Sequence, residues 1–271
     1  MNSQTNSMLQ FNRYWILGLP FDEISLEEAV KCVRDAAISR TRLFISTPNL
    51  NFLIASQKDV SFRESVIHSD LSLADGMPII WLAKLLNVPI RERVAGSNLF
   101  DALRYNRLPT GQPPLRVFFF GGPPGVGESA QRAINDDIIG MQCVGYCYPG
   151  FGDLDAMSTP EVLAHINASK ADFLVVSLGA QKGQAWIERN RSKIQAPIIS
   201  HLGAVLNFVA GTVQRAPLWM QRVGLEWAWR VKEEPGLWKR YAKDGLGLAR
   251  LCILQILPAK LGQRKKARQN Q

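Results

Sequence analysis

The chain has 271 residues, 46% hydrophobic and 20% charged, a balance that excludes a disordered chain and leaves material for one large α/β domain or two small lobes. Its formal net charge is +9, and the basic residues concentrate late in the sequence, so an acidic surface is the expected partner, either an anionic membrane or a nucleic acid. No nucleic-acid-binding motif is visible, no apolar run approaches the roughly 20 residues that span a bilayer, and the N-terminal MNSQTNSMLQFNRYWILGLPFD has no basic segment before an apolar core and no cleavage site, so the expected compartment is the cytoplasm.

In chain order, ISLEEAVKCVRDAAISR (24–40) has helical spacing and opens on a capping box, Ser25 with Glu28. RLFIST reads as a strand ending at Pro48, and NLNFLIASQKD as the helix that begins there. SDLSLADG is a short strand broken at Asp75-Gly76, followed by the helix MPIIWLAKLL. VAGSNLFDALRYN is a further helix, and the glycine and prolines of LPTGQPP mark a boundary. Beyond it RVFFFGG, MQCVGYCYPG, DFLVVSLGA and APIISHLGA are apolar strands ending at glycine, with helices between the first three. Alternation of this kind predicts an α/β fold, a Rossmann-like and mostly parallel sheet with ligands at the carboxyl ends of its strands. The expected organisation is two lobes, 1–108 and 109–213, followed by a C-terminal appendage, 214–271.

The strand ends therefore supply the candidate site: Thr47, Pro48 and Asn49; Asp75 and Gly76; Gly121 and Gly122; Gly179 and Ala180; Gly203. A glycine at such a point also simply closes a turn. Asp75 stands in an otherwise apolar stretch, where a carboxylate is solvated, paired or working, and a helix N-cap is the ordinary alternative. The turn GGPPGVGES comes within one residue of a phosphate-binding loop, but Glu128 stands where the lysine belongs and would repel phosphates. No Ser-His or Cys-His constellation is legible among His68, His165 and His201. Cys143 and Cys147 lack the partners a zinc site needs and read as buried thiols. Asp153 and Asp155 match a two-residue metal-binding pattern of nucleotide-sugar enzymes, but they equally suit a loop before a helix, so neither a metal nor another cofactor is expected.

The C-terminal third interleaves Arg215, Arg222, Arg230 and Arg240 with Trp219, Trp227, Trp229 and Trp238. Arg222, Glu226 and Arg230 are four apart and on one helical face would pair internally. An apolar helix, GLGLARLCILQILP, and the basic end KLGQRKKARQNQ follow, a pattern suited to lying on an anionic membrane surface; the alternative is a helix docked on the core.

Taken in order, TPNLNFLIASQKD, LADGMPIIW, RVAGSNLFDAL, FFGGPPGVGESA and FVAGTVQRAPLWMQRVGLEWAWRVKEEPGLWKRY resemble the WecG/TagA/CpsF family of bacterial glycosyltransferases across nearly all of residues 14–243. The resemblance implies an inverting enzyme that moves a sugar from a UDP-sugar to a polyprenyl-diphosphate-linked acceptor in cell-envelope or exopolysaccharide synthesis, peripheral on the inner face of the cytoplasmic membrane. It makes Asp75 the general base. Thr47, Asn49, Arg93, Gly76, Gly96, Gly179 and Asn207 would line the donor and acceptor site. Gly121 and Gly122 would form a nucleotide-sugar turn that needs no lysine. Arg93, Arg215, Arg222 and Arg230 would offset charge on the departing diphosphate, and no nucleic acid is implied. Two departures stand out. The family's GAPKQExW is GAQKGQAW here, so its Gln-Glu pair becomes Gly183-Gln184, and an aspartate common in the family is Asn207. The rival readings are a catalytically inactive, membrane-associated UDP-binding scaffold and a basic nucleic-acid-binding protein.

Overall fold

The computed structural model describes residues 11–258. The chain begins with a hairpin that has no counterpart in the sequence reading, β1 (Arg13–Ile16) and β2 (Leu19–Asp22). Then come α1 (Leu26–Ser39), β3 (Leu43–Ser46), α2 (Leu50–Ser56), α3 (Val60–Ile67), β4 (Leu71–Ser72), α4 (Met77–Leu86) and α5 (Gly96–Tyr105). After the proline-rich stretch come β5 (Leu115–Gly121), α6 (Val126–Asn135), β6 (Met141–Cys147), α7 (Pro160–Ala168), β7 (Phe173–Ser177), α8 (Ala180–Asn190), β8 (Ile198–His201) and α9 (Val205–Val209). The appendage contributes α10 (Leu218–Val223), α11 (Glu226–Glu233) and α12 (Leu237–Leu251).

The expected capping box starts α1: Ser25 Oγ accepts from Glu28 N at 3.2 Å and Glu28 Oε2 from Ser25 N at 2.8 Å, so two of the helix's free N–H groups are satisfied reciprocally.

β3 to β8 form one parallel sheet of six strands in the order β4-β3-β8-β7-β5-β6. Strands from before and after residue 108 pair directly, Ile45 opposite Ser200, so segments 1–108 and 109–213 build this layer together. Side chains alternate across it with period two. Val117, Phe119, Phe173, Val175 and Ile198 face α1, α5, α6 and α9, while Phe118, Phe120, Leu174, Val176 and Ile199 face α7 and α8. On the second face Trp186 is fully buried, stacks on Phe120 at 4.3 Å and donates its indole N–H to Met157 O at 2.9 Å. A third apolar cluster joins the hairpin to α2, α3 and α4.

This layering locates the ligand crevice. The helix after β7 lies on one face and the helix after β8 on the other, so a crevice opens between their carboxyl ends.

In the appendage Gly224, with φ 80°, ends α10, so Arg222 and Arg230 lie on different helices rather than on the one face expected from their spacing. α12 docks on α2 through Asn51 Nδ2, 3.1 Å from Asp244 Oδ2. Gly247 also packs there, where a Cβ would come within 2.8 Å of Ile54. Its outer side leaves Leu246 exposed, and the π-helical turn Cys252–Ile256 leaves Ile253 and Leu254 exposed. The apolar stretch is thus docked and still presents an apolar face. No helix among the described residues is long and apolar enough to cross a membrane, and KLGQRKKARQNQ lies outside the described residues.

Candidate active site

At the carboxyl ends of β3, β4, β7 and β8 lies a cavity of about 890 Å³, within the range of small-ligand sites. Thr47 and Asn49 enter it from the end of β3, Asp75 and Gly76 from the end of β4, and Arg93 and Gly96 from the segment leading into α5. Gly179 contributes from the start of α8, His201 from the end of β8, and Asn207 from α9. The appendage closes the far side with Glu226, Trp227, Arg230 and Trp238. Thr47, Asn49, Asp75, Gly76, Arg93, Gly96, Gly179, Asn207 and Arg230 are therefore brought together.

Asp75 does not cap a helix. The N-cap of α4 is Gly76, with φ 97° and ψ 143° and no side-chain cap, a conformation open essentially to glycine alone. Gly76 takes the chain directly from β4 into α4, and the preceding carboxylate is left at the cavity wall. Asp75 Oδ2 accepts from Gly96 N at 3.4 Å. Protein surrounds the carboxyl on every side but the cavity, and this burial, aided by the negative charge of Glu226, pushes it up to about 7. Arg93, the Gly96 N–H and Arg215 only partly offset the rise.

Of the cationic groups that line the cavity, Arg93 and Arg230 are committed to carboxylates, while Arg240 lies over the Tyr241 ring at 5.1 Å. Arg93 Nη1 is 3.1 Å from Glu226 Oε2. Arg230 pairs with Glu234 and lies over the Phe208 ring at 5.2 Å. Arg215 stands one layer behind the cavity wall: it pairs with Asp101, donates to Asn98 Oδ1 at 2.6 Å and Gln221 Oε1 at 2.9 Å, and reaches Glu226 Oε1 at 4.0 Å. Arg222 is exposed and does not line the cavity.

Gly121 and Gly122 do not line it either. A Cβ on Gly121 would meet Ser177 O at 2.6 Å, one on Gly122 would overlap Leu206, and Gly122 N donates to Ser177 O at 2.9 Å. These glycines allow the β5 turn to press against β7 and α9. Glu128 pairs with Arg132 on the outside of α6. Asp153 accepts from Ala156 N at 2.9 Å and Asp155 pairs with Arg189; neither lines the cavity. Asn49, besides facing the cavity, caps α2 through Phe52 N at 3.2 Å.

Among the cavity residues that sequence reasoning did not assign to the site are Glu226 and His201. Glu226 was assigned to pairing within its own helix, yet its partner Arg93 lies 133 residues away. His201 stands alone in the sequence, but it ends a strand in the series that supplied the other candidates, and that position was the signal.

The family model described as "Glycosyl transferase WecG/TagA/CpsF family" matches residues 14–262. The chain belongs to this glycosyltransferase family. Among curated proteins, family relatives include an N-acetylglucosaminyldiphosphoundecaprenol N-acetyl-beta-D-mannosaminyltransferase of Bacillus spizizenii, 28% identical over 197 residues, which cover 73% of this chain and 74% of the relative. A protein of the same name from Staphylococcus aureus strain MRSA252 is 25% identical over 253 residues, 93% of this chain and 92% of its own. Another from Bacillus subtilis strain 168 is 26% identical over 196 residues, 72% and 73% of the two chains.

Proposed function

We propose that this glycosyltransferase moves a hexosyl or N-acetylhexosaminyl group from a UDP-sugar to a saccharide carried on a polyprenyl diphosphate, by a single inverting displacement. The observation that carries this reading is Asp75, a carboxylate held near neutrality on a cavity wall beside Arg93. In the step, Asp75 takes the proton of the acceptor hydroxyl as its oxygen bonds to the anomeric carbon; the anomeric C–O bond to the diphosphate breaks, and UDP leaves with the electron pair. A base whose pKa matches the working pH suits this transfer. Arg93 and Arg230 offset the charge gathering on the diphosphate, which must compete with Glu226 and Glu234 for them. Arg215 acts from behind by holding Glu226. Thr47, Asn49 and Asn207 offer polar side chains to the sugar and the nucleobase.

Segment 214–271 is the membrane-facing part of this proposal. Trp227 and Trp238 are exposed and also line the cavity, and Leu218, Trp219, Leu246, Ile253 and Leu254 are exposed on the same appendage. Exposed tryptophans at the cavity and further exposed apolar side chains on the same appendage suit a peripheral enzyme whose acceptor is embedded in an anionic membrane, on the cytoplasmic side where UDP-sugars are made.

The test is transfer from a panel of labelled UDP-sugars to polyprenyl-diphosphate-linked mono- and oligosaccharides, with and without EDTA. Labelled lipid product from one donor is expected. UDP binding without transfer to any acceptor would favour the inactive scaffold.

A further inference from the structure

His201 ends β8, and its side chain points to the face that carries α8, as Ile199 does. Its Nε2 lies 2.6 Å from the carbonyl oxygen of Leu178. A carbonyl only accepts, so Nε2 carries the ring proton and Nδ1 the lone pair. Burial lowers the tendency of the ring to take a second proton, so that lone pair stays available. Nδ1 has no hydrogen-bond partner among the described residues, yet His201 lines the cavity at the crossover between β7 and β8. Nδ1 is not among the buried atoms left without a partner, so it opens onto the cavity, where a ligand or water can supply the donor.

The surroundings are shaped to the ring. Gly183 stands inside α8, where glycine weakens a helix; a Cβ there would overlap His201 Cδ2 and come within 3.0 Å of Nε2. Gly203 flanks the other side, its Cβ position 3.2 Å from Nε2, and Phe52 is tilted against the ring at 6.0 Å. At position 183, where the resemblance would put glutamine, this chain has glycine, and the imidazole from β8 stands against it.

We infer that His201 is a donor-binding residue whose Nδ1 accepts a hydrogen bond from an O–H or N–H of the nucleotide-sugar, and that Gly183 leaves the room in which the imidazole stands. The inference rests on the UDP-sugar reading above and names one residue by which this chain selects its donor.

The test is calorimetric titration of UDP and of UDP-sugars into the full-length wild type, His201→Phe, His201→Asn and Gly183→Ala, with steady-state kinetics on the same proteins. His201→Phe keeps a ring and removes the acceptor; binding should weaken about ten-fold, with KM rising and kcat changing little. His201→Asn places Oδ1 near the position of Nδ1 and should retain most of the affinity. Gly183→Ala, which displaces the ring without reaching the ligand, should reproduce the loss, and should add nothing in a His201→Ala background. A loss shared by UDP and UDP-sugars puts the contact on the nucleotide, and one confined to UDP-sugars puts it on the sugar; both support the inference. Wild-type affinity in His201→Phe, or equal losses in His201→Phe and His201→Asn, would overturn it. A wild type that binds neither UDP nor any UDP-sugar would instead remove the UDP-sugar reading itself.

Discussion

Replacing Asp75 with asparagine removes the base and keeps its shape. With the carboxyl held at about 7, roughly half of the wild-type molecules carry a competent base at pH 7 and about a tenth at pH 6. Wild-type kcat/KM should therefore fall about ten-fold per pH unit on the acid side of neutrality. Asp75→Asn should lower kcat by about 10²–10⁴ and lose that limb, with UDP affinity nearly unchanged. Because the negative charge of Glu226 contributes to the rise, Glu226→Gln should move the limb to lower pH. Stability gives an independent reading with a definite sign. The native carboxyl keeps its proton up to about 7 and the unfolded one releases it near 3.9, so wild-type stability falls as pH rises through this window. Asp75→Asn should then be the more stable protein at pH 8, by about 1–2 kcal/mol after discounting for the carboxyl's contact with cavity water, with the gap closing by pH 4. The assays are initial rates of UDP release from pH 5 to 9 and thermal unfolding at pH 4 and 8. More than a tenth of wild-type turnover in Asp75→Asn, or a wild-type acid limb below pH 5, would refute the reasoning.

Gly76→Ala forces an L-residue into φ 97° and ψ 143° and should cost about 1–3 kcal/mol in denaturant unfolding; it should also lower kcat by re-aiming Asp75, and an alanine variant with wild-type kcat would separate that turn from the base. Trp186→Ala empties the space against Phe120 and strands the Met157 carbonyl, so a loss of about 3–5 kcal/mol is expected by urea denaturation, and a loss under 1 kcal/mol would mean that the α8 face is loosely packed. Truncation before Leu246 removes exposed Leu246, Ile253 and Leu254 and should weaken sedimentation with anionic liposomes; equal sedimentation of the two proteins would end the surface-anchor proposal.

The strands of the central sheet were legible because strands covered on both faces are continuous apolar runs; VFFF, FLVVS and IIS announce themselves, and the glycines after them mark their carboxyl ends. The hairpin Arg13–Asp22 was not, since strands of four residues, one carrying Pro20, are too short to display a period. Strand order was invisible too: β8 lies between β3 and β7 because of packing across the sheet, which leaves no local mark. At the site, Asp75 was singled out by its polarity among apolar neighbours, but working carboxylate and helix cap looked alike until Gly76 proved to be the cap position. Gly121 and Gly122 show the reverse case, in which a glycine-rich turn that resembles a ligand cradle is used for close packing against Ser177 and Leu206. Glu226 and His201 were named but not placed in the site, because their contacts there, with Arg93 and Gly183, are made only by folding.

The anomeric configuration of the lipid-linked product, read by NMR after transfer from an α-configured UDP-sugar, tests the single displacement at Asp75 most directly. A β-linked product is expected from wild type, and an α-linked product, or no product from any UDP-sugar, would contradict it.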